Sequence, residues 1–250
     1  MTETTLTLSE KPYVSVQGEG RHVGAIMAFL RLQGCNVGCK YCDSMYTWSP
    51  YNQNQAIERL RKNTDAGQYT IDEVSYMLEG QEADHLWITG GEPILQSDAL
   101  YELMLDWGLN DQFSNTHICT AGIKYDKDLF DQIGNVCVDI KAPSSGTKSN
   151  MDVIDKIFTS KPEGECEGKM VLAGKEDLLL IRKMLDKYPD VPFTVQPMYP
   201  NELTAGMRPP NILEFRSWIV ANMENLWRYK NLHFGFQLHK HIWTDQVRGI

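Results

Sequence analysis

The run Ala25-Ile26-Met27-Ala28-Phe29-Leu30-Arg31-Leu32 is apolar at every position but Arg31, the pattern of a strand buried on both faces of a parallel sheet. Ahead of it the first eleven residues read as a polar leader. Tyr13-Val14-Ser15-Val16 then reads as a short strand that breaks into a glycine-punctuated turn, Gln17-Gly18-Glu19-Gly20. Farther on, Thr70-Ile71-Asp72-Glu73 has capping-box spacing, with Val74, Met77 and Leu78 as the apolar face of the helix it opens. From there strand-type and helix-type segments alternate: strands over 85–89, 116–120, 135–140, 169–173, 192–196 and 232–237, helices over 97–107, 126–133, 150–159, 175–188 and 212–221. This alternation predicts βαβ units on a parallel sheet. Right-handed crossovers would curl about six such units into a partial TIM-type barrel, with the site at the carboxyl ends of the strands. With no repeat, low-complexity tract or Pro/Ser-rich linker, residues 1–250 read as a single α/β domain carrying a polar insertion at about 46–68.

Composition changes this picture little. A chain with 42% hydrophobic and 23% charged residues is an ordinary globule. It has no run of about 18 apolar residues to span a bilayer, and its polar start lacks the apolar core of a signal peptide. The expected compartment is the cytoplasm, where six cysteines stay reduced. A net charge of −9, from 24 basic and 33 acidic residues, argues against a nucleic-acid footprint. The expected partner is a small molecule, with neither nucleic acid nor membrane.

Candidate chemistry changes the picture more. Cys35-Asn36-Val37-Gly38-Cys39-Lys40-Tyr41-Cys42 places three thiols within eight residues, directly behind the first core strand. Three thiolates on a tight turn can hold three corners of a 4Fe–4S cluster and leave the fourth iron open. A structural zinc would want a fourth ligand, which nothing within a turn of Cys42 offers; unligated or redox thiols are the third reading. Gln17 and Glu19, between glycines, suit a ligand loop or a solvated turn. Arg31, near the end of a core strand, must be paired, as an anion clamp or in a structural ion pair. On the predicted scaffold the three Cys follow the first core strand, Gly90-Gly91-Glu92-Pro93 the second, and Thr120-Ala121-Gly122 the third. Lys141-Ala142-Pro143-Ser144-Ser145-Gly146 follows the fourth, Gln196-Pro197 the sixth and His239 the last. All fall at one rim, which favours an enzyme over a structural metal module.

The pairing of Cys-x3-Cys-x2-Cys after the first strand with Gly-Gly-Glu-Pro after the second resembles the radical S-adenosylmethionine superfamily. Within it, Ser15-Val16-Gln17-Gly18-Glu19-Gly20, Phe29-Leu30-Arg31-Leu32-Gln33-Gly34-Cys35-Asn36 and Cys42-Asp43-Ser44-Met45-Tyr46-Thr47-Trp48 are similar to the 7-carboxy-7-deazaguanine synthase family. So are Lys141 to Gly146, the run from Lys187 into Gln196, and the tail from Leu238 to Gly249. The resemblance implies a radical S-adenosylmethionine core and a ring-contracting carbon–nitrogen lyase that converts 6-carboxy-5,6,7,8-tetrahydropterin to 7-carboxy-7-deazaguanine with loss of ammonia, as in queuosine biosynthesis. It implies a 4Fe–4S cluster on Cys35, Cys39 and Cys42, S-adenosyl-L-methionine, and Mg2+ with Ser44 as its protein ligand. It implies pairing of the substrate carboxylate by Arg31, pterin contacts from Gln17, Glu19, Gly20 and His239, and an S-adenosylmethionine side made by Gly90, Gly91, Glu92, Thr120, Asp139, Lys141, Ser144 and Gln196. A one-electron donor such as a flavodoxin and a homodimer complete what it implies.

One word departs from the family. Cys119-Thr120-Ala121-Gly122 stands where members usually carry Glu-Thr-x-Gly, so an acidic residue and an amide are missing from the contacts expected there. Loop-capping and sheet-end roles are the structural alternatives for Ser144 and Gln196. Cys119, Cys137 and Cys166 read as ordinary packed thiols. The competing functions are another radical S-adenosylmethionine enzyme, such as a glycyl-radical activase, and a metal-binding module without catalysis.

Overall fold

A computed structural model of the protein describes residues 3–48, 65–106, 109, 112–199 and 212–243. Most of the expected insertion, and Arg248 and Gly249 of the tail, lie outside the described residues. The strands are β1 (Thr5–Leu8), β2 (Tyr13–Val16), β3 (Ile26–Leu32), β4 (Gly67–Thr70), β5 (His85–Gly90), β6 (Asn115–Thr120), β7 (Asn135–Asp139), β8 (Cys166–Leu172), β9 (Phe193–Pro197) and β10 (Leu232–Phe234). They form a ten-stranded sheet in the order β10-β9-β8-β7-β6-β5-β3-β1-β4, with β2 on β3. The ladder from β3 to β10 is parallel, and β1, β2 and β4 join antiparallel. Among the described residues the ladder does not close on itself, so the architecture is the α/β partial barrel that the alternation predicts.

Between the parallel strands run α1 (Ile71–Glu79), α2 (Ser97–Met104), α3 (Lys127–Gln132), α4 (Met151–Ser160) and α5 (Leu178–Lys187), followed by α6 (Ile212–Leu226) and the short α7 (His239–Ile242). Their starts are written locally. Thr70 and Glu73 form the expected capping box on α1, and the Asp126 and Asn150 side chains accept from the Leu129 and Val153 amides to open α3 and α4. One face of the sheet, with Leu30, Leu86, Ile88, Ile118, Val136, Val138 and Val195, packs on Leu103, Phe130, Ile154, Ile157, Ile181 and Met184 of the helices. Each such buried side chain contributes about 1.5–3 kcal/mol. The inward face holds a smaller apolar cluster of Met27, Phe29, Trp87 and Cys137, with Tyr13 and Cys119 against it, and is otherwise polar.

Five boundaries differ from expectation. The polar leader contains β1, whose Thr-Leu-Thr-Leu alternation buries Leu6 and Leu8 completely. The polar stretch before α1 ends in β4, which among the described residues is an edge strand paired with β1 alone. β8 starts at Cys166 rather than 169, because Glu167 faces inward and Gly168 makes room for the Phe193 ring, which would lie 2.2 Å from an added Cβ. The last strand stops at Phe234, and α5 begins at Leu178 after a 3-10 turn over Lys175–Asp177.

Candidate active site

The carboxyl ends of the parallel strands open into a cleft that is continuous with solvent. Of the residues expected at the site, Gln17, Glu19, Arg31, Cys35, Cys39, Cys42, Ser44, Gly90, Gly91, Glu92, Thr120, Asp139, Lys141 and His239 line it. Asp43, Cys119, Lys169, Gln237 and Lys240 line it as well, and sequence reasoning gave none of these a role.

Two loops build the cysteine wall. Gly34 and Gly38 take φ of +102° and +72°, a left-handed backbone that glycine adopts without a Cβ penalty, and so the chain folds back between Cys35 and Cys42. The turn after β5 docks against this loop through Gly91 N–H to Leu32 O at 3.0 Å and Glu92 N–H to Gly34 O at 2.8 Å. A Cβ on Gly91 would lie 1.9 Å from Gly34 O, so only glycine permits the approach. Cys35, Cys39 and Cys42 stand on this wall with no disulfide among them. Burial pushes the Cys39 and Cys42 thiols up, with Asp139 adding for the first and Asp43 for the second; a metal must therefore displace protons from them.

Glu92 is committed inside the protein. Its Oε1 accepts from Thr120 Oγ1 at 2.5 Å and from Ile94 N at 3.3 Å, and its Oε2 from Ala121 N at 2.7 Å. Thr120 Oγ1 in turn accepts from Gly122 N at 3.0 Å. The pair ties the tips of β5 and β6 together, while burial lifts the Glu92 pKa against these donors.

Beside the thiols lies a network of paired charges. Lys169 Nζ contacts Glu19 Oε2 and lies 3.1 Å from Asp139 Oδ2, whose partner oxygen is 3.0 Å from Lys141 Nζ. Burial works against ionised Asp139, yet Lys141 and Lys169 hold its pKa down at about 2. Burial likewise opposes charge on Glu19, and Lys169 and His239 keep its pKa low. Gln237 Nε2 donates to Glu19 Oε1 at 2.5 Å, and Glu19 N–H donates to Gln17 Oε1 at 3.1 Å. Asp43 sits 3.6 Å from His239 Nε2 and 3.7 Å from Lys240 Nζ, and accepts from Ser44 Oγ at 2.9 Å. These donors hold its pKa well below the carboxylate range despite burial. Glu19, Asp43 and His239 bring two carboxylate oxygens and a ring nitrogen within 4.8 Å of one another. His239 can lie this close because residue 18 is glycine: a Cβ there would sit 2.1 Å from His239 Nδ1.

Arg31 is in the ion pair that is one of the two readings made of it, and it stands at the cleft wall. Its Nε lies 2.7 Å from Glu10 Oε1 while Nη2 donates to Tyr13 Oη at 2.7 Å. Three expected residues do not line the cleft. Gly20, at φ +72°, faces the Glu167 carboxylate. Ser144 caps a loop, its hydroxyl donating to Asp177 Oδ2 at 2.7 Å and its amide to Oδ1 at 2.9 Å. Gln196 is wholly buried, and neither amide atom has a hydrogen-bond partner among the described residues; Gln17 Nε2 shares that condition. The signal that could have revealed Lys169 was a charged residue at an inward position of a strand whose every residue is buried. Asp43 stood in plain view between the third Cys and Ser44.

Residues 16–142 match the family model described as a 4Fe-4S single cluster domain. The chain is 28% identical over 238 residues to the 7-carboxy-7-deazaguanine synthase of Bacillus cereus, covering 94% of this chain and 95% of that one. It is 30% identical over 191 residues to the synthase of Bacillus subtilis, covering 73% and 72%, and 28% identical over 256 residues to that of Chlorobaculum tepidum, covering 100% and 99%. The crystal structure of QueE from Escherichia coli shares the fold, with a TM-score of 0.64, 22% identity and coverage of 94% of this chain and 95% of that one.

Proposed function

The chain belongs to the 7-carboxy-7-deazaguanine synthase family, and from that premise we propose that it converts 6-carboxy-5,6,7,8-tetrahydropterin to 7-carboxy-7-deazaguanine with loss of ammonia. One observation carries the proposal. The three thiols, the Gly90–Glu92 turn and the group Gln17, Glu19, Arg31 and His239 all border a single cleft, so cluster, S-adenosylmethionine and pterin would share one chamber.

Cys35, Cys39 and Cys42 would hold a 4Fe–4S cluster, and three unbridged thiols on one wall fit that group. Bound there, the reduced cluster would supply the electron that cleaves S-adenosylmethionine. The docked Gly90–Gly91 backbone shapes the neighbouring surface, where carbonyl oxygens suit an amino group. Glu92 would act by fixing that turn through Thr120 rather than by direct contact. The orphaned Gln17 amide supports a polar ligand in the cleft, since buried donors of this kind are otherwise costly. Ionised Glu19, held by Lys169 and Gln237, is an acceptor only and would take N–H donors of the pterin ring. His239 packs beside it, and Arg31 would pair the carboxylate. Ser44, beside Asp43 and Glu19, offers hard oxygens of the kind magnesium prefers, and we assign Mg2+ there. The proposal extends to a single domain over 1–250, a homodimer, a cytoplasmic setting that keeps the thiols reduced, and a one-electron donor such as a flavodoxin.

Anaerobic incubation of the reconstituted protein with S-adenosylmethionine, a strong reductant and 6-carboxytetrahydropterin, followed by mass spectrometry, tests it. The expected product is 7-carboxy-7-deazaguanine, formed faster with magnesium. Formation of 5′-deoxyadenosine without a deazapurine would overturn the substrate assignment, and a colourless zinc protein indifferent to S-adenosylmethionine would overturn the enzyme.

A further inference from the structure

We propose that Glu10 is a positioning residue for carboxylate recognition: it holds Arg31 from behind, so that the opposite edge of the guanidinium is presented to the cleft. The inference rests on the reading of Arg31 as the group that pairs the substrate carboxylate.

Glu10 lies between β1 and β2 and is 8% exposed, in a place where a carboxylate is rare without a partner. Its Oε1 is 2.7 Å from Arg31 Nε, a charge contact outside hydrogen-bond alignment, and accepts from Tyr46 Oη at 3.4 Å. Tyr13 supplies the second hold, accepting from Nη2 at 2.7 Å. Tyr13 is itself fixed, stacked on Phe29 with centroids 5.4 Å apart and planes 9° from parallel. Burial disfavours the Arg31 charge, and Tyr13, Tyr46 and Glu10 together more than restore it.

Guanidinium carries five N–H donors in a rigid fork. Glu10 and Tyr13 take up the Nε and Nη2 positions, and Nη1 makes no hydrogen bond to a described residue. Arg31 lines the cleft, whereas Glu10 and Tyr13 stand behind it and do not. A plain structural ion pair has no need to leave one edge of its arginine at a cavity wall. Because Glu10 also balances the charge, what Arg31 offers is directed hydrogen bonding more than net positive charge. That favours a planar carboxylate over a halide or a diffuse anion.

The test compares equilibrium binding of two non-reacting probes, 6-carboxypterin and pterin, to the cluster-loaded protein by fluorescence quenching. In Glu10→Gln the preference for the carboxylated probe should fall about tenfold, while affinity for pterin stays within about twofold. Tyr13→Phe, which keeps the stacking and the charge balance, should lower the preference about threefold, and Glu10→Asp should recover part of it. In turnover, KM for the carboxylated substrate should rise in Glu10→Gln with little change in kcat. An unchanged preference in folded, cluster-loaded variants overturns the proposal, as does parallel weakening of both probes, the mark of a general structural role. If Glu10→Gln does not fold, Tyr13→Phe decides alone. A wild-type protein that binds both probes equally overturns the reading of Arg31 beneath the proposal, whatever the variants do.

Discussion

The two ends of the barrel interior are lined by the same strands and hold opposite chemistry. On β8, Glu167 and Lys169 face the same way one pleat apart; on β7, Asn135, Cys137 and Asp139 do so in turn. Toward the carboxyl ends, Lys169 is ionised between Glu19 and Asp139. Toward the amino ends, Glu167 accepts from Arg21 N at 3.0 Å and Asn135 Nδ2 at 3.3 Å, and burial raises its pKa. Beside that end His117 is stacked on Trp87 at 5.5 Å, edge-on to His22 at 4.6 Å, and has its Nε2 3.2 Å from His85 Nδ1. Burial, then His22 and His85, bring the His117 pKa to about 3, so the imidazole is neutral. Charge is thus favoured on Lys169, Glu19 and Asp139, where counter-charges lie within hydrogen-bond reach, and disfavoured on Glu167 and His117, where burial outweighs the favourable contacts around them.

The largest break in this contrast should come from Lys169→Met, which removes the one cation shared by Glu19 and Asp139. Asp139 keeps Lys141, but Glu19 loses its lysine, and breaking that buried pair should cost about 3 kcal/mol in urea unfolding; an unchanged midpoint would mean the network is solvated. Next is the pH dependence of the other end. His117 titrates far below a free imidazole, so its contribution to stability is complete above about pH 6.5. As pH falls from there toward 3, the unfolded chain takes up a proton that the folded one refuses. Stability should drop by about 1.4 kcal/mol per pH unit on account of this group. Comparing urea midpoints of wild type and His117→Leu across pH 7.5 to 5 isolates that slope, and equal slopes would sink the idea. The smallest effect belongs to Glu167→Gln. Since burial disfavours its charge and no ion pair is formed with it among the described residues, the amide should change stability by no more than about 1 kcal/mol, and a loss as large as that of Lys169→Met would erase the contrast.

Much of this was legible in the chain. The apolar run into Arg31, the alternation from residue 70 onward and the turn words at successive strand ends locate the cleft and most of its lining from local pattern. The failures are informative. Thr5-Leu6-Thr7-Leu8 is too short a period-two signal to stand out in a polar leader, and becomes a strand because β3 and β4 offer it ladder partners. Ser144 and Gln196 belong to the right strand ends yet miss the cleft, since a loop position does not say which way a side chain turns. Ser144 turns to Asp177, 33 residues on.

By itself the sequence determined the scaffold and the cysteine loop, because strand period, helix caps and glycines that must adopt positive φ are local properties readable over a few residues. Only the tertiary structure decided the charges. Lys169 meets Glu19 across 150 residues of chain and Gln237 meets it across 218, and Arg31 finds Glu10 rather than solvent. Whether a buried group is ionised depends on what stands within about 4 Å of it. No local pattern encodes that neighbourhood, because it exists only once the barrel has curled.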